Sequence, residues 1–339
     1  MARGGDTGTD DDRVRVRPNR RGSRPRTKVR PSHDDAVPAM VLAVDRGRYT
    51  ALTDDGTAVH AMKARELGRG SVVVGDRVGL VGDVSGRPDT LARLVRVADR
   101  TTTLRRTAED AETAGVERVI VANADQLVVV TALADPEPRP RMVDRCLVAA
   151  IDAGMDALLC LTKADLADPA PFLAQYAPLV VPAVVTSVAE DRIEGLDELH
   201  DRLAGRTSVL VGHSGVGKST LVNALIPDAH RAIGGVNAVT GRGRHTSSSA
   251  VALGLPDGWV IDTPGVRSFG LAHVGPEDLL RGFPDLQEVT EECPRGCTHA
   301  ADAPDCALDA WVATGRAGGP GRARLDSFRR LLAARSGEE

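Results

Sequence analysis

The sequence predicts a multidomain α/β protein: a small β-barrel, then an α/β domain with a mostly parallel sheet, then a C-terminal Cys/His segment with helices. Three observations predict it. Short strand patterns follow one another near the start, apolar strands alternate with amphipathic helices in the middle, and three cysteines fall within fourteen residues near the end. A chain of 339 residues has room for about two or three domains.

Composition excludes several classes of protein. A formal net charge of −4 excludes a wholly basic, histone-like binder. The chain lacks an apolar run of about 18 residues, so we expect no transmembrane helix and no membrane partner. The first residues, MARGGDTGTDDD, do not resemble a secretory signal. Clustered cysteines indicate a metal site in a reducing compartment, so we expect a cytoplasmic protein.

Residues 1–38 predict a disordered basic tail. Ten basic and six acidic side chains lie in residues 1–35, and residues 13–30 hold nine basic side chains and no acidic one. Few apolar groups are available there to form a core. The segment is either a solvated tail or an arm that binds nucleic acid through counterion release.

Residues 39–98 predict the barrel, because strand patterns alternate with Gly-containing turns. The strand patterns lie at 40–45, 48–54, 57–63, 76–82 and 91–97. Five short strands in about sixty residues favour an oligonucleotide-binding (OB) barrel, and an SH3-like domain is the alternative. Tyr49 is the sole aromatic residue of this stretch, so contact with nucleic acid backbone or with protein is favoured over base stacking.

Residues 99–117 predict a linker, and residues 118–275 predict the α/β domain. Runs of β-branched and apolar residues are typical of strands buried on both faces. Such runs lie at 118–122, 126–133, 156–165, 176–187 and 207–212, with helical patterns at 141–154 and 195–205. Cys146 and Cys160 fall inside these patterns and are predicted to fill the core.

A phosphate-binding signature, G-x-x-x-x-G-K-S, follows one of these strands and opens a helix. Its glycines let backbone N–H groups face phosphates, Lys218 neutralises phosphate oxygens, and Ser219 is suited to ligate Mg²⁺. His213 is predicted to be a spacer that points away. The predicted nucleotide contacts of this loop are Gly212, His213, Ser214, Gly215, Val216, Gly217, Lys218, Ser219 and Thr220.

A second phosphate element is the D-T-P-G sequence at residues 262–265, which ends an apolar strand. Asp262 is predicted to hold Mg²⁺ through water, and the N–H of Gly265 to reach the γ-phosphate. Thr246 is the candidate switch threonine that completes the Mg²⁺ shell. Lys218 and Thr246 are therefore predicted to be catalytic.

The sequence Thr162-Lys163-Ala164-Asp165 resembles the N-K-x-D element with which GTPases read guanine. The Asp165 carboxylate would accept hydrogen bonds from guanine N1–H and the exocyclic amine, which favours GTP over ATP. Thr162 replaces the usual Asn and removes one amide. Ser187 and Val188 lie where the S-A element of GTPases contacts guanine O6.

The order of these elements predicts a circularly permuted domain. In ordinary GTPases the phosphate loop precedes the guanine reader, whereas here residues 162–165 precede residues 212–219. Termini can move between surface loops without disturbing the packed sheet. Permutation also places the switch region beside the C-terminal segment.

Together these features resemble the RsgA (YjeQ) family over residues 39–335. The resemblance includes G-R-x-R-H-T at 241–246, R-T-T-T-L-R-R at 100–106 and A-N-A-D-Q at 122–126. It implies an OB-like β-barrel, a circularly permuted P-loop GTPase domain and a C-terminal zinc-finger domain with helices. It further implies GTP and GDP as ligands, Mg²⁺ as cofactor, and a role in late maturation of the small ribosomal subunit through its rRNA and proteins. We expect a monomer.

Residues 276–339 predict the zinc finger and a terminal helix. Three thiolates and one imidazole suit one tetrahedral Zn²⁺, and the candidate ligands are Cys293, Cys297, His299 and Cys306. The loop lengths of three and six residues differ from the four and five usual in the family, and three unligated thiols are the alternative. Residues 322–335 predict a helix docked on its own domain through Leu325, Phe328, Leu331 and Leu332, with a solvated basic face.

Hydrolysis also needs a group that orients water, and Val266 stands where many GTPases have Gln. His245 is either that group or a switch residue that contacts RNA or solvent. We therefore expect slow intrinsic hydrolysis that a partner accelerates. Two rival functions remain: an RNA-binding module with a vestigial nucleotide site, disfavoured by intact Lys218, Ser219 and Asp262, and a permuted GTPase of the large subunit.

Overall fold

The computed structural model describes residues 33–68, 71–107, 117–189, 192–226, 250–263, 269, 271 and 273–336. The strands are β1 (Val37–Asp45), β2 (Arg48–Thr53), β3 (Ala58–Lys63), β4 (Arg77–Gly82), β5 (Ala92–Val97), β6 (Thr103–Thr107), β7 (Glu117–Ala122), β8 (Gln126–Ala132), β9 (Asp156–Thr162), β10 (Ala183–Val185), β11 (Ser187–Ala189), β12 (Arg192–Glu194), β13 (Arg206–Gly212), β14 (Val251–Leu255) and β15 (Gly258–Asp262). The helices are α1 (Pro140–Ala153), α2 (Ala170–Tyr176), α3 (Leu196–Leu203), α4 (Lys218–Leu225), α5 (Pro276–Leu280), α6 (Pro284–Thr290), α7 (Ala307–Ala313) and α8 (Gly318–Ser336).

The first five strands form the predicted barrel. They pair in the order β1-β2-β3-β5-β4, and β4 pairs back to β1 to close the barrel. Every neighbouring pair is antiparallel except β3 and β5, which run parallel. Alternate residues such as Val41, Val59 and Leu94 fill the interior. The structure therefore confirms an OB-like barrel.

The predicted linker contains a strand. Residues 103–107 form β6, which pairs antiparallel with β7 in a separate two-stranded sheet. The predicted strand at 118–122 is confirmed, but the prediction that it is buried on both faces is wrong, because β7 pairs outside the main sheet and only its residues Val121 and Ala122 are buried. Leu104 lies opposite Val121, and both side chains are buried in the main core. Burial of this pair, rather than a local sequence pattern, therefore accounts for the pairing of β6 with β7. The domain boundaries at 38, 98, 117 and 275 stay predictions.

The α/β domain contains a sheet in the order β10-β9-β8-β13-β15-β14, parallel except for β14. Its apolar strands are buried on both faces, as predicted. Along β8, Leu127 and Val129 face the core that contains α1, while Val128 and Val130 face the core that contains α4. Strand β14 also pairs with β1 of the barrel, through Val251 and Ala43.

The apolar run at 176–187 is shorter as a strand than predicted. Only Ala183–Val185 forms β10, and Ala177–Leu179 is a 3₁₀ turn. Val180 has a left-handed φ of 57° and its residue surface is 79% exposed. Pro178 and Pro182 interrupt the run, because proline cannot donate a ladder hydrogen bond.

The C-terminal helix α8 packs on α1, and its four predicted apolar residues are buried. Phe328 meets Phe283 edge to face at 5.4 Å between ring centroids. Within the described ranges, no helix combines the length and apolar character needed to cross a bilayer.

The prediction of a solvated basic face on α8 is wrong. Arg324 donates two hydrogen bonds of 2.7 Å to Asp285, and Arg329 donates two of 2.8 Å to Asp309. Arg330 Nε lies 3.1 Å from the buried Asp144 carboxylate on α1. Docking brings acidic partners from distant segments to these arginines, which local sequence cannot show.

One histidine joins three parts of the α/β domain. His273 lies between Glu117 at the start of β7 and Asp152 on α1. Its Nδ1 is 2.7 Å from Glu117 and its Nε2 is 2.9 Å from Asp152. Both nitrogens can donate only when the ring is protonated, so this geometry favours the imidazolium form.

This contact predicts a pH-dependent contribution to stability. Burial lowers the pKa of His273, but its hydrogen bonds to Glu117 and Asp152 outweigh burial and leave the pKa above its ordinary value. The stabilisation is therefore complete below the ordinary pKa of about 6.5 and is lost as pH rises through the folded-state value. In urea denaturation, His273→Gln should lower the free energy of unfolding more at about pH 6 than at about pH 8.5. Equal losses for His273→Gln at both pH values would contradict the prediction.

Candidate nucleotide site and metal centre

The predicted nucleotide elements meet at the carboxyl edge of the parallel sheet. In the strand register, Thr162 lies beside Ala132, Gly212 beside Val130, and Asp262 beside Leu210. Parallel strands place their following loops at the same edge, where open α/β sheets bind ligands. The guanine reader, the phosphate loop and the start of D-T-P-G are therefore neighbours.

The phosphate loop depends on its glycines. It connects β13 to α4, and Gly215 and Gly217 have φ values of 86° and 88°. A Cβ on Gly212 would come within 2.6 Å of the Val130 carbonyl oxygen. These positions exclude side chains and leave backbone N–H groups at the N-terminus of α4, where the helix dipole favours an anion.

Lys218 connects the phosphate loop to β15. Its ammonium group donates to the Asp262 carboxylate and, at 3.2 Å, to the Thr263 carbonyl oxygen. The Thr263 hydroxyl in turn donates to the Leu210 carbonyl at 2.8 Å. Phosphate oxygens on Lys218 and a metal ion on Asp262 would each replace one half of this ion pair.

Thr162 connects the guanine reader to the phosphate loop. The residue is 4% exposed, and its hydroxyl donates a 2.6 Å hydrogen bond to the Val216 carbonyl oxygen. Lys163, with a φ of 59°, donates from its ammonium group to the carbonyl of Asp135. Sequence reasoning missed Asp135, although its position just beyond β8 at the same sheet edge was a signal for it.

Asp165 joins the second guanine segment. Its Oδ1 accepts a 3.2 Å hydrogen bond from the Val188 N–H, and Ala164 N–H donates to the Thr186 carbonyl at 3.2 Å. The Ser187 hydroxyl donates to Glu194 at 3.0 Å, a partner that the sequence did not indicate. The His213 ring contacts the adjacent Ser214 carbonyl at 2.8 Å, which fits a local spacer.

Several predicted residues cannot be placed. Thr246, His245, Gly265 and Val266 lie outside the described residues. Ser219 and Thr220 are described and lie exposed in the first turn of α4.

The four candidate zinc ligands come together. Their donor atoms all lie within 4.8 Å of one another. Cys293 Sγ is 3.6 Å and Cys306 Sγ 3.8 Å from His299 Nδ1. With Zn–S near 2.3 Å and Zn–N near 2.0 Å, a tetrahedron has edges of about 3.5 Å between S and N. The observed spacing fits Zn²⁺ despite the altered loop lengths.

Surrounding groups support this cluster. Arg329, held by Asp309, also donates at 3.1 Å to the His299 carbonyl oxygen, and Ala307 N–H donates to Cys293 Sγ at 3.3 Å. Burial lowers the pKa of His299 and raises the pKa of the Cys306 thiol to about 11. A neutral imidazole is ready to ligate, whereas the thiol needs a cation to stabilise its thiolate.

The sheet, the phosphate loop and the order of the motifs define a circularly permuted GTPase. The fold resembles the crystal structure of YjeQ from Thermotoga maritima, with a TM-score of 0.65, 24% identity, and coverage of 89% of this chain and 99% of that one. It also resembles YloQ, described as a circularly permuted GTPase, with a TM-score of 0.62, 22% identity, and coverage of 92% and 99%.

Sequence comparison identifies the family. A family model described as RsgA GTPase matches residues 97–272. The small ribosomal subunit biogenesis GTPase RsgA of Alcanivorax borkumensis is 40% identical over 245 residues, which cover 70% of this chain and 66% of that protein. The protein of the same name from Pseudomonas syringae pv. tomato is 38% identical over 272 residues, which cover 78% and 75%. The chain belongs to the RsgA GTPase family.

The Thr162 contact predicts an effect on nucleotide binding. Thr162→Val keeps the shape of the side chain but leaves the Val216 carbonyl without this donor, at a cost of about 1–3 kcal/mol. We expect the affinity for a fluorescent guanine nucleotide, measured by titration, to fall by roughly tenfold. Thr162→Ser retains the hydroxyl and should bind within about threefold of the parent protein. Equal affinities for the Val and Ser variants would contradict this role.

The Cys/His geometry predicts one tightly held zinc ion. Metal analysis of the purified full chain should find about one zinc per molecule, and Cys306→Ala should lower that to below about 0.2. Cys160→Ala removes a buried thiol that lies in β9, outside the cluster, and serves as the matched control. Loss of zinc from both variants, or from neither, would refute the assignment.

Proposed function

We propose that this protein hydrolyses GTP on the small ribosomal subunit, assists late maturation of that subunit, and leaves it after hydrolysis. One observation carries the proposal: a phosphate loop, a guanine reader and Asp262 meet at one sheet edge. Relatives named small ribosomal subunit biogenesis GTPase RsgA support the choice of partner. Loading with GTP would favour the bound state, and hydrolysis would favour release.

In the reaction GTP + H₂O → GDP + Pi, the loop residues bind and neutralise the phosphates. Lys218 leaves Asp262 and pairs with the β- and γ-oxygens, while the loop N–H groups hold the chain of phosphates in place. Ser219, Thr246 and Asp262 would hold Mg²⁺, since hydroxyl and carboxylate oxygens are its preferred protein ligands. Mg²⁺, when bound, supplies positive charge against the phosphate oxygens.

Selection of guanine rests on Asp165. Its carboxylate accepts from two guanine donors that adenine does not present. Its hydrogen bond from Val188 N–H orients the group, and Lys163 supports the loop through Asp135. Ser187 and Val188 complete the base-binding edge.

The attacking water needs a group that Val266 cannot supply. His245 fills this role in our proposal, next to the switch residue Thr246. The intrinsic rate is therefore slow, and the small subunit accelerates it by completing the site.

The outer surface of the barrel offers a site for rRNA. Arg48 lies opposite Met62 on β3, which lies opposite Arg93 on β5. Met62 and Leu91 are 50% and 43% exposed, so apolar groups lie beside the arginines in this barrel face. OB barrels bind oligonucleotides on the face of strands 2 and 3. Tyr49 is buried, so contacts to phosphate and sugar replace base stacking.

The remaining assignments complete the proposal. The zinc centre is structural, because all four tetrahedral positions have protein donors. The protein acts as a monomer in the cytoplasm, and the basic tail adds a further electrostatic contact to RNA.

Steady-state hydrolysis with purified small subunits tests this function. We expect GTP turnover to rise about tenfold or more on addition of subunits, with ATP inert, and Lys218→Ala to abolish the response. Asp165→Asn replaces an acceptor by an amide donor, so this variant should lose GTP and hydrolyse xanthosine triphosphate, whose 2-oxo group accepts a hydrogen bond.

The outcomes separate the alternatives. Stimulation by large subunits alone would indicate the rival permuted GTPase. Binding to small subunits without any nucleotide hydrolysis would indicate an RNA-binding module with a vestigial site.

A further inference from the structure

One arginine on α1 binds two elements that are distant in the chain. Arg145 Nη1 donates a 2.6 Å hydrogen bond to the Ala334 carbonyl oxygen, in the last turn of α8. Its Nη2 donates a 3.1 Å hydrogen bond to the Phe269 carbonyl oxygen. The planar guanidinium therefore links the end of α8 to the chain that follows D-T-P-G.

The second acceptor belongs to a post-strand segment, defined here by Phe269, Leu271 and residues 273–275. This segment begins six residues beyond Thr263, the residue that follows Asp262 at the end of β15. Phe269, Leu271 and Val274 are buried in the same core as α8. Arg335, also in the last turn of α8, donates to the Val274 carbonyl oxygen.

The chemistry of these contacts makes them sensitive to position. The last carbonyls of a helix lack partners within the helix and carry partial negative charge, so a cationic donor binds them well. A guanidinium presents its donors in a rigid fork and cannot follow two carbonyls that move apart. Close packing around the segment makes discrete rearrangements more favourable than gradual ones.

We propose that Arg145 is a positioning residue that couples the nucleotide state at Asp262 to the position of the last turn of α8. A change at D-T-P-G moves the Phe269 carbonyl, and Arg145 transmits the movement to the Ala334 carbonyl. The inference rests on the nucleotide binding that the proposed function assigns to this site, because it requires a GTP-bound and a GDP-bound state. It concerns a step within the chain, however, which can be measured without ribosomes.

Hydrogen exchange of the full chain tests the coupling. Amide exchange in the last two turns of α8 is compared between GDP and a non-hydrolysable GTP analogue. The parent protein should show exchange rates that differ between the two states by about fivefold or more, within the usual range of allosteric coupling. Arg145→Gln should reduce that difference to below about twofold while nucleotide affinity stays unchanged. Arg145→Lys keeps the charge but lacks the rigid planar fork of the guanidinium, and should also lose most of it.

Arg141→Gln is the matched control. Arg141 is an exposed arginine in the first turn of the same helix, whereas the hydrogen bonds to the Ala334 and Phe269 carbonyls come from Arg145. If Arg145→Gln fails to fold, Arg335→Gln tests the parallel contact to Val274. A nucleotide-dependent difference that survives in Arg145→Gln as in Arg141→Gln would overturn the inference, as would its absence in the parent protein. Failure of small subunits to stimulate GTP turnover would instead refute the proposed function and leave the coupling standing.

Discussion

The hydrophobic core shared by α1, the post-strand segment and α8 is the constraint on which the rest of the structure depends. Leu147, Val274 and Phe328 belong to one buried cluster, and Cys306 and Leu308 extend it to the zinc ligands. Interiors are close-packed, so an element in such a core cannot move without its neighbours. The C-terminal helices therefore pack as a layer against the α/β sheet, and the metal centre is built on the same core as one face of that sheet.

Packing of α8 in this core also determines which acidic groups its arginines pair with. Asp144 is 2% exposed and burial raises its pKa, although the nearby Arg330 opposes that shift. A buried carboxylate without a cation would be strongly destabilising. When α8 packs on α1, Arg330 of α8 supplies the positive charge that balances Asp144. Arg324 is likewise held by Asp285 and lies 5.2 Å from the centre of the Phe283 ring. These arginines stabilise the fold, and under the proposed function the positive charge that contacts RNA is supplied by other surfaces, such as the barrel face.

The features that could be predicted from the sequence are those that local residue patterns determine. Apolar runs specify β8, β9, β13 and β15, glycine spacing specifies the phosphate loop, and donor type specifies the Cys/His cluster. The pairing of β6 with β7 could not be predicted, because it depends on a contact between Leu104 and Val121, which are not close in the sequence. The partners of the α8 arginines escaped prediction for the same reason. Roles of Thr246 and His245 rest on sequence alone, since neither residue is described.

In this circularly permuted chain, a non-covalent contact joins the loop that follows β9 to the phosphate loop that follows β13. The guanine reader follows β9 and the phosphate loop follows β13, with β8 between them. Thr162 and Val216 are 54 residues apart, and one hydrogen bond joins their loops across the end of β8. The Thr162 hydroxyl is sufficient for this hydrogen bond, because the acceptor is a single backbone carbonyl, that of Val216. Under the proposed function, Thr162 therefore keeps the guanine segment linked to the phosphate loop through its hydroxyl, although it lacks the side-chain amide of the usual Asn.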